Sequence, residues 1–274
     1  VSGFSAQWLE LREPFDAAAR AKAPEASLAL WARNRGGPLR IVDLGAGTGA
    51  NLRHLAPLLP VAQDWLLIEH DPALIAVGEP RLPTTGPVLA RYRRADLVAE
   101  LESVLAEPVD LVTCSALLDL VSAEWLDRLV RIVRARDLAL LAVLTYDGRV
   151  ALEPARPFDA EVVALVNRHQ RTDKGFGPAL GPEAGIALAR ALHGAGDQPL
   201  LALSDWNVGP EARAFTTALI EGWSAAAQEI APERAEAIAS WRRQRLDDVA
   251  AGNLACRVGH VDLLRLPRGE RRTP

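Results

Sequence analysis

Short apolar runs bounded by turn residues recur along the chain, at Arg40–Leu44, Trp65–Glu69, Val88–Arg93, Val109–Cys114, Leu138–Thr145, Leu200–Trp206 and Ala255–Leu266. Apolar runs of this length between turn signals read as strands. Between the first five lie stretches with helical spacing that begin near Gly49, Pro72, Asp96 and Ser122, the last with serine as N-cap and Glu124 in the first turn. Strands alternating with helices predict an α/β fold: a doubly wound, seven-stranded, mainly parallel sheet with N-terminal helices and helical insertions.

Three segments fall outside the alternation. Ser5 to Arg33 reads as two helices broken at "AKAPEAS", which makes residues 1–38 an N-terminal helical cap on a main domain over 39–274. Residues 153–182 interrupt the chain after the fifth strand with prolines and glycines around a helix near Ala160–His169. Insertions at carboxyl ends of strands sit where open parallel sheets bind ligands, so this segment is expected to be a lid. Residues 211–252 read as a helical hairpin broken at Ala231-Pro232, with Trp223 and Trp241 as core anchors.

The chain has 274 residues, 49% of them hydrophobic, enough for a substantial core. Its net charge of -4 supplies no positive field to hold a polyanion, which disfavours nucleic acid as a partner. Cys114 and Cys256 are the only cysteines, which points to a reducing compartment rather than a disulfide framework. The five histidines are scattered, and no metal site is expected. "VSGFSAQWLELREP" lacks a basic region followed by an apolar core, and the longest apolar run, "LALLAVL", is too short to span a bilayer. A cytoplasmic protein without membrane contact is the expectation, its oligomeric state left open.

Candidate chemistry begins at "IVDLGAGTGANL", Ile41 to Leu52. Gly45-Ala46-Gly47-Thr48-Gly49-Ala50 satisfies both the dinucleotide fingerprint G-x-G-x-x-A and the shorter G-x-G-x-G of a different cofactor. Asp43, two residues before Gly45, would repel a pyrophosphate. S-adenosylmethionine has no phosphate and carries a sulfonium, an ammonium and a ribose, all of which tolerate a nearby anion. Glu69 follows the glycines by about twenty residues, the separation at which an acid reaches ribose hydroxyls in either cofactor. Asp96, after the third strand, is in a position to meet an adenine amine.

"VDLGAGTGANL", "LLIEHDPAL", "RADL", "VDLVTCSALLDLV" and "LALLAVLTYDG", in that order, resemble the successive motifs of class I S-adenosylmethionine-dependent methyltransferases. The resemblance runs from about Leu39 to Gly148. It implies a sheet of order 3-2-1-4-5-7-6 with the last strand reversed, a role that "ACRVGHVDLLRLP" would fill. It also implies that Asp43, Gly45 and Gly47, with Ala46 and Asn51, surround the methionine moiety. Glu69 would meet the ribose, His70 and Asp96-Leu97 the adenine, and Ser115 the sulfonium side.

The acceptor site is read from less specific signals. Asp119 is the one acid in "SALLDLVSAEW" before Glu124, either beside the acceptor or a plain helix-start acid. Tyr146 follows the fifth strand, at the cleft edge or packed under the lid. "NRHQRTDKGFGPALGP" gathers His169, Asp173, Lys174 and Phe176 at a glycine hinge, with His169 suited to proton removal at neutral pH; a solvated loop is the plainer reading. Trp8, Arg12, Asp16 and Arg20 share one helical face, an ion-pair ladder or a cap in which Arg12 or Arg20 grips a substrate carboxylate or phosphate. These residues favour methyl transfer to a small-molecule acceptor, with oxygen preferred over nitrogen or carbon and His169, Asp119 and Tyr146 as catalytic candidates. The alternatives are an RNA or protein methyltransferase, an NAD(P)-dependent oxidoreductase, and a non-catalytic S-adenosylmethionine-binding module.

Overall fold

The computed structural model describes residues 5–83 and 85–268. Strands β1 (Leu39–Leu44), β2 (Gln63–Glu69), β3 (Val88–Arg94), β4 (Leu111–Ser115) and β5 (Ala139–Glu153) are joined by helices α3 (Ala50–Leu55), α4 (Pro72–Gly78), α5 (Leu97–Val104) and α6 (Ala123–Ala135). The sheet is completed by β6 (Leu200–Leu203), β7 (Trp206–Val208) and β8 (Ala255–Arg265). Its order is β3-β2-β1-β4-β5-β8-β6, with β7 pairing β8 off that path. β1 to β5 pair in parallel, and β8 runs antiparallel to both β5 and β6. The expected order is reproduced with β8 in the place of the reversed last strand.

Alternation along β1 sends Val42 and Leu44 to one face and Ile41 to the other. The first face packs on α5, α6 and α8 (Ala184–Gly194) through Leu101, Leu129, Val133 and Leu188. The opposite face packs on α2 (Lys22–Arg35) and α3 through Leu28, Ala32, Leu52 and Leu55. In α6, Ser122 accepts from the Trp125 amide at 3.3 Å, and Trp125, Leu126, Leu129, Val130 and Val133 are buried at the spacing of one helical face.

Three features depart from expectation. The strand expected over Leu200–Trp206 is split, because Asp205 leaves the ladder and its carboxylate accepts from the His260 amide at 3.3 Å. β5 does not end at Thr145. It bulges between Ala142 and Thr145, where Leu144 adopts φ 53°, and between Tyr146 and Val150, then continues against β8 as a ribbon to Glu153. Helix α8 has no counterpart in the expectation, since its "GPEAG" start reads as loop. A Cβ on Gly185 would lie 2.4 Å from Val261 Cγ2, so glycine here permits close packing of the helix on β8.

The ribbon carries a separate core, built from Tyr146, Leu152, Trp206 and Val258 against α7 (Asp159–His169), α9 (Arg213–Ile230) and α10 (Ala235–Ala250). Trp241 is buried here, whereas Trp223 is half-buried at its margin. Helix α1 (Ala6–Ala19) leans on the same core through Trp8, Leu11 and Phe15. Phe215 stacks on Trp8 at 5.4 Å and on Phe15 at 4.2 Å between ring centroids. Helix α1 of the expected cap, helix α7 of the expected lid and both helices of the expected hairpin are therefore gathered around the ribbon, while α2 and Phe176 pack on the main sheet layers.

Candidate functional site

At the carboxyl end of β1 the chain makes a tight turn in which Gly45, Gly47 and Gly49 all have positive φ. Gly47 shows why a side chain is excluded: its φ is 54°, and a Cβ would meet Leu9 Cδ1 of α1 at 3.1 Å. The turn is held from the neighbouring strands. Glu69 Oε2 accepts from the Gly47 amide at 2.8 Å, the Tyr92 hydroxyl donates to the Gly47 carbonyl at 3.1 Å, and the Ala46 amide donates to the Ile68 carbonyl at 2.9 Å. Glu69 Oε1 also accepts from the amides of His70 and Asp71. A carboxylate offers about four lone-pair sites, so one acceptor position of Glu69 remains. The turn amide that a pyrophosphate would need is already given to an anion.

Asp43 is 1% exposed and faces α3. Asn51 Nδ2 donates to Asp43 Oδ1 at 2.8 Å and to Thr113 Oγ1 at 3.1 Å, while Asn51 Oδ1 accepts from Arg20 Nη1 at 2.9 Å. Asp43 Oδ2 finds no partner among the described residues. Burial pushes the Asp43 carboxyl up to about 7, against the opposing pull of Asn51 and Arg20. A buried carboxylate oxygen without a donor, beside a glycine turn, is matched by a ligand that brings an ammonium or sulfonium and no phosphate.

After β3, Asp96 caps α5 by accepting from the Val98 amide at 2.8 Å, and Leu97 is buried with its carbonyl taking the Trp125 indole N–H at 2.8 Å. His70 is exposed, with Nδ1 3.1 Å from Glu69 Oε1. Ser115 ends β4, and Ala116 after it adopts φ 50°, the left-handed conformation that sites tolerate when the surroundings enforce it.

Asp119 lies in a single 3-10 turn after β4, is 6% exposed, and leaves Oδ1 without a partner among the described residues. Burial raises its carboxyl to about 6, with Arg12 the cation that opposes the rise. Arg12 is itself held by Asp16, through Nε at 2.8 Å and Nη2 at 3.3 Å, and its guanidinium sits 5.2 Å over the Trp206 ring. Asp16 Oδ1 also accepts from Trp206 Nε1 at 3.0 Å. The ladder reading of this helical face is thus realised for Arg12 and Asp16, whereas Arg20 turns toward Asn51, Glu25 and Asp262.

The remaining sequence candidates are dispersed. The Tyr146 hydroxyl donates to Asn167 Oδ1 at 2.7 Å, and Asn167 Nδ2 donates to the Gly148 carbonyl at 3.0 Å, so Tyr146 fastens α7 to β5. Burial raises its hydroxyl above the usual phenol range, leaving it protonated. His169 pairs with Glu229 of α9 at 3.0 Å and lies 3.2 Å from Lys174 Nζ, in a group separate from Asp119 and Arg12. Asp173 is exposed and accepts from the amides of Gly175 and Gly177, closing a local turn. Phe176 packs edge-on against Trp125 at 5.6 Å. His169 points to Glu229, and the rest of the stretch is held by the Asp173 turn and by Phe176 and Leu180 packing against the core.

Sequence reasoning passed over Tyr92, Thr113, Asn167 and His260. Tyr92 sits in "ARYRRAD", which reads as a charged sheet edge. Its approach to the turn depends on Gly78, where a Cβ would lie 2.1 Å from the Tyr92 hydroxyl. A groove of about 740 Å3 lies against the amino ends of β2 and β3, lined by Leu52, Ala56, Gln63 and Val88, at the opposite end of the strands from these groups.

Residues 41–136 match the family described as "Methyltransferase domain". No curated protein matches the chain by sequence. Among solved structures, a cyclopropane synthase from Mycobacterium tuberculosis is 13% identical, with 95% of this chain and 94% of that one covered and a TM-score of 0.48. An S-adenosylmethionine-dependent methyltransferase from Geobacter sulfurreducens, in complex with S-adenosylhomocysteine, is 14% identical, with coverage of 94% and 98% and a TM-score of 0.46. A cyclopropane-fatty-acyl-phospholipid synthase-like protein from Lactobacillus casei is 13% identical, with coverage of 94% for both chains and a TM-score of 0.49. The part of the chain that is similar to a methyltransferase domain, residues 41–136, is the part that carries β1 to β4 and the acid-flanked glycine turn described above.

Proposed function

We propose that this enzyme methylates a small molecule, at oxygen in preference to nitrogen or carbon, in a chamber between the glycine turn and the ribbon core. The observation that carries the reading is the pair of buried, half-satisfied carboxyls: Asp43 beside the glycine turn and Asp119 after β4. Asp43, Gly45, Ala46, Gly47 and Asn51 would hold the methionine portion of the cofactor, Glu69 the ribose, Asp96, Leu97 and His70 the adenine, and Ser115 the sulfonium side. When bound, S-adenosylmethionine supplies an electrophilic methyl group whose departing bond pair stays on sulfur.

The chain's own residues do the rest. Asp119 takes the acceptor's proton as the acceptor lone pair forms the new bond, a role for which a carboxyl near pH 6 is poised at neutral pH. Tyr146 positions Asn167 and with it α7. Helix α1, within the expected cap of residues 1–38, acts as the cover, because Leu9 reaches the glycine turn. Residues 153–182 and 211–252 close the far side, and desolvation by this cover favours displacement at the methyl carbon. Arg12, its charge already paired with Asp16, serves as a wall of the chamber rather than as an anion grip. His169, Asp173, Lys174 and Phe176 shape the outer rim. Both cysteines are unpaired and buried, in keeping with a cytoplasmic location.

The test is transfer of label. Enzyme incubated with methyl-labelled S-adenosylmethionine and a small-molecule extract is expected to yield a labelled product below about 1 kDa, with S-adenosylhomocysteine formed in equal amount. Label appearing only in RNA or protein fractions would overturn the small-molecule assignment. S-adenosylhomocysteine binding without any transfer would favour a non-catalytic module.

A further inference from the structure

The break between α1 and α2 carries a cation into the interior. Arg20, the residue that ends α1, is 4% exposed, and the Ala21 amide beside it donates to Asp262 Oδ2 of β8 at 2.9 Å. Asp262 is fully buried, and its Oδ1 accepts from the Leu144 amide at 2.7 Å, in the bulged part of β5. The helix break is thereby pinned to β8 and β5. Arg20 Nε lies 3.6 Å from Glu25 Oε1 and 4.0 Å from Asp262 Oδ2, so the guanidinium stands between two acids. Among the described residues its one side-chain hydrogen bond runs from Nη1 to Asn51 Oδ1, at 2.9 Å.

Asn51 passes that contact on. Its Nδ2 donates to Asp43 Oδ1 at 2.8 Å and to Thr113 Oγ1 at 3.1 Å, and Thr113 Oγ1 donates to the Leu141 carbonyl at 2.9 Å. Arg20, Asn51, Asp43 and Thr113 are all buried. A side-chain amide fits such a site in either of two senses, and its partners decide which. Asp43 does not decide alone: with burial raising it to about 7, its carboxyl exists at neutral pH both as an acceptor and as an O–H donor able to face the Asn51 oxygen. The Thr113 hydroxyl also has both capacities. Arginine only donates, and it stays charged. Arg20 is therefore the one of the four with a fixed polarity. It takes the Asn51 oxygen and leaves the N–H groups for Asp43 and Thr113. Asp43 Oδ1 is then satisfied, and Oδ2 is left open beside the glycine turn.

We propose that Arg20 is a positioning residue of the cofactor site: from the helix break it fixes the sense of the Asn51 amide, and through Asn51 it holds the Asp43 carboxylate ready for the cofactor's ammonium. This inference rests on the methyl-transfer reading above. Arg20 acts through Asn51 and needs no contact with cofactor or acceptor, so its place differs from the grip on a substrate anion that its helical face suggested.

The experiment is calorimetric titration of the full chain and its variants with S-adenosylhomocysteine. Arg20→Gln, whose amide both donates and accepts, is expected to weaken binding by about tenfold, the scale of one hydrogen bond in a buried site. Arg20→Lys keeps the charge and an obligatory donor, and should stay within about threefold of wild type. In an Asn51→Ala background, itself weakened, Arg20→Gln should cost no more than about twofold further, because the contact it disturbs is already gone. Three results would overturn the proposal and leave the methyl-transfer reading in place: Arg20→Gln binding as tightly as wild type, Arg20→Lys as weak as Arg20→Gln, or a full tenfold loss from Arg20→Gln on top of Asn51→Ala, which would mean that Arg20 acts on the cofactor directly. Failure of the wild-type chain to bind S-adenosylhomocysteine would instead remove the reading beneath it. Should Arg20→Gln not fold, Asn51→Asp decides, since it keeps an acceptor for Arg20 and removes the N–H groups turned to Asp43: a loss of about tenfold or more supports the relay, and unchanged affinity overturns it.

Discussion

Replacing Asp119 with asparagine is expected to lower methyl transfer by about a hundredfold to ten-thousandfold, the usual contribution of a positioned general base. The carboxyl sits after β4 in a turn that fixes its direction, is nearly excluded from water, and has one oxygen with no partner among the described residues. Because burial raises it to about 6, wild-type kcat/KM should climb as pH passes through about 6 and level off above it, since the acting form is the ionised one. In Asp119→Asn that limb should vanish, while S-adenosylhomocysteine affinity holds within a few-fold, since its binding is assigned to Asp43 and Glu69. Unchanged turnover with the acid limb retained would assign the proton to another group or show that none needs to be removed.

Arg245→Ala should destabilise the protein by about 3–5 kcal/mol, measured by urea unfolding, because it removes a fully buried guanidinium and leaves Asp159 without a charged partner. Arg245 Nε donates to Asp159 Oδ1 at 3.0 Å, Nη2 pairs with Asp159 Oδ2, and Nη1 donates to the Pro154 carbonyl at 2.8 Å and to Asp248 Oδ2 at 3.1 Å. Trp241 Nε1 adds a bond to Asp159 at 2.8 Å, and Arg156 closes the network on Asp248. This cluster ties α10 to the start of α7 and so sets the hairpin against the ribbon. Arg245→Met, which also removes the charge but fills more of the space, should recover part of the loss. A change under about 0.5 kcal/mol for Arg245→Ala would show that apolar packing of Ile238 and Trp241 alone docks the hairpin.

The parts of this fold legible in sequence are those with a strong local period. β1, β2 and β4 are continuous apolar runs between turn residues, and α6 shows one apolar face beneath a serine cap, so their places follow from short windows. The acids and glycines around β1 were legible because their spacing is set by a strand–turn–helix unit that few other structures require. The ribbon was not, since its length depends on pairing between β5 and β8, more than a hundred residues apart, and on bulges that a period-2 pattern does not mark. His169 illustrates a different limit. Residue type suggested proton chemistry, but direction is set by helix rotation: Asn167 and His169 are two positions apart, about 200° around α7. With Asn167 turned to Tyr146, His169 is carried away toward Glu229. His260, on a strand flanked by apolar residues, has the sequence context of a core residue and is distinguished only by what surrounds it in space.

The central claim is that the carboxyl at the top of β1 accommodates a cationic methyl donor. Calorimetric titration between pH 6 and pH 8 with S-adenosylhomocysteine, whose ammonium remains though its sulfonium is gone, tests it most directly. Asp43 stands at about 7 in the free protein, and an ammonium beside it would lower that value, so binding near pH 6.5 should release a proton. Affinity should therefore rise with pH up to about 7 and flatten above. Reduced nicotinamide dinucleotide should give no binding, and Asp43→Asn should abolish the proton release and weaken S-adenosylhomocysteine. Dinucleotide binding in place of S-adenosylhomocysteine, or tight S-adenosylhomocysteine binding with no proton exchange at any pH, would contradict the account.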